Sequence, residues 1–254
     1  MIEYCIRIEK AQELEFKNIL GISRIYLGNE TCPGRFPTKA EITKITKIAK
    51  FKELKITILT PLITNNYFDS ICKTIKTLPA TTEIVINDMG LFNALKDTHH
   101  NLILGRLLIP IKKDIRMDIT NDYNRLTFFN PDFFNFYLEL GFNRFEIDNV
   151  QYSYFDTKHE SDEFIFSVYL PEIITNIQTN HCNKCKTSII CPHKEKEITN
   201  IIYKDDHKEV YPYEIFCKRN YIFYRNYVVN KTLKNNINRI IITNIYELDK
   251  IIFK

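Results

Sequence analysis

Residues 24–59 read RIYLGNETCPGRFPTKAEITKITKIAKFKELKITIL, and this stretch decides the fold. Arg24 to Leu27 is a short apolar run stopped by Gly28. Thr38 followed by Glu41 has the spacing of a capping box, in which each side chain satisfies the other residue's orphan N–H. The helix it opens carries Ile42, Ile45 and Ile48 on one face. Lys55 to Leu59 is again a short apolar run, ending before Pro61. Strand, helix and strand within 36 positions describe one parallel crossover unit.

The same alternation extends outward. Ile2 to Ile8 reads as a strand and Gln12 to Leu20 as a helix. Tyr67 to Leu78 is helical and Glu83 to Ile86 a strand, with Asn87, Asp88 and Gly90 turning into a short helix. Leu102 to Leu104 is a strand. Pro131 to Leu140 is a helix closed by Gly141, and Arg144 to Ile147 and Phe164 to Leu170 are strands. Six or seven βα units in series imply a parallel sheet. At 254 residues the α/β class is best met by one domain, a closed (β/α) barrel of the TIM type. The chain is short for eight full units, so irregular closure through its last strands is expected. The first strand lacks a Gly-rich phosphate fingerprint, which argues against an open dinucleotide-binding sheet.

From His181 the pattern changes. Residues 180–196 are polar, irregular and rich in cysteine, Tyr211 to Val229 is aromatic and strand-like, and Ile240 to Thr243 is a last strand. The long polar segment Gly105 to Asn130 carries Arg106, Lys112, Lys113 and Arg116 and has the character of a lid or a solvated loop. Hydrophobic residues at 44% against 26% charged exclude disorder as the main state. A net charge of +4 is too mild to imply nucleic acid. No run approaches the roughly 18 apolar residues of a membrane helix, and Met1 to Lys10 has no signal-peptide character, so a cytoplasmic location is expected.

Seven cysteines suggest metal, cluster or redox chemistry in such a compartment. Cys182, Cys185 and Cys191 fall within ten positions and can face one soft metal centre. Iron–sulfur clusters and structural zinc both need about four ligands. The fourth comes from His193, Cys217 or a distant thiol. Cys32 is the distant candidate, because loops after the second and late strands project from one face of a parallel barrel. Cys5 and Cys72 sit in apolar patterns and read as core. At other strand ends, Asp88, Asp148 and Arg106 could orient a polar substrate or move protons. Helix capping is the competing role for Asp88, and surface pairing for Arg35 and Arg106.

The stretch Arg24 to Arg35 resembles the second-strand motif of the collagenase-like peptidase family, a short strand and Gly followed by Cys-x-x-Arg. Three further stretches agree in order: Val85 to Gly90, Leu104 to Leu108 with Lys112 to Arg116, and Leu140-Gly141 with Arg144 to Asp148. The resemblance spans roughly residues 1 to 195 and is strongest to the small members that assist oxygen-independent ubiquinone hydroxylation. It implies a (β/α) barrel bearing a [4Fe–4S] cluster. By that match Cys32, Cys182, Cys185 and Cys191 are the ligands, although the late trio is spaced more tightly than in that branch. Other branches take all four from the later half, where Cys217 could serve. The implied role is cluster-dependent hydroxylation of a quinone precursor or an RNA base, alone or as a heterodimer with a related subunit. Two other classes stand beside it. A peptidase-type hydrolase is one, although neither Gly-x-Ser-x-Gly nor His-Glu-x-x-His occurs and His99-His100 reads as a turn. A binding protein stapled by zinc is the other.

Overall fold

The computed structural model describes residues 2–15, 21–109, 131–149, 164–177, 198–201, 215–218, 221–229, 237–243 and 252–253. Seven strands follow one another as parallel neighbours: β1 (Glu3–Ile8), β2 (Arg24–Gly28), β3 (Lys55–Leu59), β4 (Glu83–Ile86), β5 (Asn101–Leu104), β6 (Arg144–Asp148) and β7 (Ile165–Leu170). Helices α1 (Gln12–Glu15), α2 (Lys39–Phe51), α3 (Asn65–Lys76), α4 (Met89–Leu95) and α5 (Pro131–Glu139) lie between them in sequence. Of the helix expected over Gln12 to Leu20, only α1 falls among the described residues.

After β7 the alternation stops. Strands β8 (Glu172–Ile177), β9 (Ile198–Ile201), β10 (Ile215–Lys218) and β11 (Tyr221–Arg225) form an antiparallel sheet in the order β8-β11-β10-β9. A two-residue strand β12 (Val228–Val229) pairs with β14 (Ile252–Phe253). Between them β13 (Ile237–Ile242) inserts parallel to both β7 and β1 and closes an eight-stranded barrel. The expected irregular closure is present: the barrel closes through its last strand only after an antiparallel sheet intervenes, and the β13–β7 register shifts between Ile237 and Arg239. β13 also begins three residues earlier than its sequence suggests.

Each barrel strand is buried on two faces. Ile6, Ile8, Ile25, Leu27, Ile58, Ile84, Ile86, Leu104, Phe145, Ile147, Phe166 and Val168 pack outward against Ile42, Ile45, Ile71, Ile75, Leu91, Leu95 and Phe134 of the helices. The alternate residues Cys5, Tyr26, Leu59, Val85, Ile103, Tyr169 and Ile241 meet one another in the lumen. Cys5 therefore lies in the lumen and Cys72 in the helix layer, both buried. The floor of the lumen is ionic. Arg239 bonds Glu3 at 2.8 Å and Glu83 at 2.7 Å, and Arg24 bonds both at 3.1 Å. β13 and β4 are not neighbours in the barrel, so the Arg239–Glu83 pair crosses its interior.

The elements have local causes. Thr38 and Glu41 make the reciprocal capping box that opens α2. Gly141, at φ +92°, ends α5, and its N–H donates to the carbonyl of Leu138.

Candidate functional site

The C-terminal ends of the strands form the mouth of the barrel, where enzymes of this architecture keep their chemistry. The loop after β2 builds one side of it. Gly28 has φ +137°, and a Cβ there would stand 2.2 Å from the carbonyl oxygen of Leu59, so the close approach of β2 and β3 requires glycine. The Asn29 side chain then accepts from the N–H of Thr31 and of Cys32, each at 2.9 Å. Its amide donates to Glu9 at 2.6 Å. This tight turn turns Glu30 into the mouth and buries Cys32 at the start of a 3₁₀ turn, Pro33–Arg35.

Glu30 is the centre of an ion network drawn from five chain segments. The guanidinium of Arg106, just past β5, donates through Nε to Glu30 at 2.9 Å and through a second nitrogen to the other Glu30 oxygen. Its Nη1 donates to Asp148, the last residue of β6, at 2.5 Å and to the backbone carbonyl of Glu172 at 2.7 Å. Arg7 of β1 bonds Glu30 at 3.2 Å and the Glu172 carboxylate at 2.9 Å. The ring of Tyr169 lies under Arg106, 3.9 Å from the guanidinium carbon. Arg106, Glu30 and Asp148 are all without solvent exposure. Burial works against the charge on Arg106, but Glu30 and Asp148 more than offset it, so its proton is held more tightly than in water. Arg7 is held likewise against its burial, by Glu172 first.

The structure thus brings together two of the three residues singled out at strand ends. Arg106 and Asp148 are direct partners. Asp88 has a different surrounding: it is the N-cap of α4, accepting from the N–H of Leu91 at 3.0 Å. Neighbouring Asn87 is fully buried and ties three segments, donating to the Thr60 carbonyl at 2.8 Å and accepting from Leu107 N–H at 3.2 Å. Arg35 pairs with Glu9 at 2.5 Å.

Of the thiols, Cys32 lies at the mouth, two residues beyond Glu30. Cys182, Cys185, Cys191 and His193 lie outside the described residues, as does the basic run Lys112 to Arg116. The backbone of Cys217 lies in β10 opposite Ile222. Among the described residues no three His, Cys, Asp or Glu side chains form a metal-binding group. Burial raises the Cys5 and Cys72 thiols above their usual range, as expected of core residues.

Arg7, Glu30, Glu146 and Glu172 escaped sequence reasoning. For Arg7 and Glu146 a signal exists. Glu3-x-Cys5-x-Arg7 and Arg144-x-Glu146-x-Asp148 put charged residues, with Cys5 the exception, on every second position of a strand, on the face opposite its isoleucines and phenylalanines. For Glu30 and Glu172 none exists, because each is a single acid beside a strand end. No family model, no curated protein and no solved structure matches this chain.

Proposed function

We propose that this chain is an iron–sulfur barrel protein of the kind its sequence resembles, acting in cluster-dependent hydroxylation of a quinone precursor or an RNA base. The observation that carries the reading is the setting of Cys32. Its loop is pinned at Asn29 by three hydrogen bonds within the turn and at Glu30 by two arginines, at the end of the barrel where chemistry is done. A thiol fixed in that way suits a ligand, since the position of the sulfur is set before any metal arrives. Cys32, Cys182, Cys185 and Cys191 would hold the [4Fe–4S] cluster, a donor set of four thiolates that fits it chemically. When bound, the cluster supplies one-electron transfer.

The rest of the chemistry belongs to the chain. Arg7 and Arg106 are positioning residues, because their donors are directed at Glu30, Asp148 and Glu172. They hold the β2, β5, β6 and β7 ends in one geometry. Asp148, with Glu30, is an acid of the mouth that accepts from Arg106, and it borders the lumen. A related subunit as partner accords with the same resemblance.

Metal content after anaerobic purification tests the reading. About four iron and four sulfide per chain are expected, with a broad visible band and less iron in Cys32→Ser. About one zinc with no colour would replace it by the zinc-stapled binding protein.

A further inference from the structure

The Glu146 carboxyl occupies the middle of the lumen, between the ion network of the mouth and that of the floor. It is fully buried. One oxygen, Oε2, accepts the Tyr169 hydroxyl at 2.6 Å. The other, Oε1, is buried with no hydrogen-bond partner among the described residues. A bare carboxylate oxygen in such a place is costly, whereas a protonated one carries its own donor and needs less. The groups around it form a column. Above, the Tyr169 ring supports Arg106, and Glu30 lies beyond. To one side Tyr26 stands edge-on to Tyr169, with ring centroids 6.3 Å apart. The Tyr26 hydroxyl accepts from Arg239 of the floor at 2.7 Å.

We propose that Glu146 is a titrating switch at the centre of the barrel, a carboxyl that keeps its proton in the closed fold and whose ionisation loosens the packing between mouth and floor. The inference goes beyond the functional reading above and holds with or without a cluster. Glu146 faces Tyr169 on β7, Tyr26 on β2, Arg239 on β13 and Glu30 in the loop after β2, with Arg144 two residues before it. Burial raises its proton affinity most and Glu30 adds to it. The hydroxyls of Tyr169 and Tyr26 and the charge of Arg239 oppose them. The outcome is a carboxyl pushed up to about 8. An ionised Glu146 would be a sixth carboxylate in a lumen that already sets Glu30, Asp148 and Glu172 against Arg7 and Arg106 at the mouth, and Glu3 and Glu83 against Arg24 and Arg239 at the floor.

Glu146 holds its proton more tightly in the folded chain than in the unfolded one. Between its ordinary value of 4.5 and about 8, the folded chain holds a proton that the unfolded chain has released. This contribution to stability is complete below 4.5, is lost progressively as pH rises, and is gone above about 8.

Infrared spectroscopy of the full chain reads the proton directly. A carbonyl band of a protonated carboxylic acid is expected at neutral pH, disappearing with a midpoint near 8 and absent in Glu146→Gln. The denaturant midpoint of the native chain should fall with rising pH more steeply than that of Glu146→Gln, whose amide cannot ionise. Absence of the band at neutral pH, or equal slopes, overturns the proposal. Should Glu146→Gln not fold, Tyr169→Phe keeps the ring under Arg106 and removes the donor that opposes protonation. The band should then disappear at higher pH, and an unchanged or lower midpoint overturns the proposal.

Discussion

Arg106 donates twice to Glu30, once to Asp148 and once to the Glu172 carbonyl, and no part of it meets solvent. Such a residue is worth most when its loss is considered, because a buried pair broken on one side leaves the other charge without compensation. Arg106→Met should therefore cost about 3–5 kcal/mol. The check is a lower urea midpoint at unchanged slope, and a loss below about 1 kcal/mol would mean that water or Arg7 takes over. Arg106→Lys should recover only part of the loss, since an ammonium cannot grip both oxygens of Glu30 and a second carboxylate together. Position in the strand order made Arg106 and Asp148 legible in the sequence. Their mutual contact was not, because it joins segments 42 positions apart. Glu30 was less legible still. Only the reach of Arg7 and Arg106 into the mouth gives it a purpose, and one acid in Asn29-Glu30-Thr31 has no periodicity to betray it.

At the scale of the element, the helix starts carry the clearest local signals. Thr38 and Glu41 announced α2, and the reciprocal bonds are present. Asp88 announced the turn into α4 and caps it. Two substitutions separate capping from any role of the acid in chemistry. Asp88→Ala should lose about 1 kcal/mol of stability, while Asp88→Asn, an equally good cap, should lose almost none. Thermal unfolding of the two variants side by side checks this. An activity lost in Asp88→Asn with its stability intact would assign the carboxylate a part in the reaction. Strands were legible wherever isoleucines recur between loops, as in β1, β3 and β4. The late sheet was legible only as strand-like, because Tyr221–Arg225 shows alternation but not its partner. Its neighbour β8 lies 44 positions or more upstream, paired as Ile177 with Tyr221 and Glu172 with Arg225. Nothing local in Glu172–Ile177 distinguishes an added antiparallel strand from a continuation of β7.

For the whole molecule the decisive pairing is the most distant one. β1 meets β13 at Glu3–Arg239 through Ile6–Ile242, so the barrel closes only when the beginning of the chain finds a strand more than 230 positions away. Floor chemistry enforces that closure, since Arg239 of β13 reaches Glu3 beside it and Glu83 across the lumen. Closure also removes the exposed edges that an open sheet would offer to other chains. A chain ending at residue 236 would keep the helices and seven barrel strands yet leave β1 and β7 as two open edges, with Glu83 deprived of one arginine. It should show no cooperative thermal transition and should associate. Among the described residues, a chain ending at residue 243 loses only the β12–β14 ladder outside the barrel, and it should retain cooperative unfolding. Near-ultraviolet circular dichroism through a melt distinguishes the two. A cooperative transition in the shorter chain would mean that the seven-stranded sheet and its helices hold together without β13, and that the interior ion pairs, rather than ring closure, set the cooperativity.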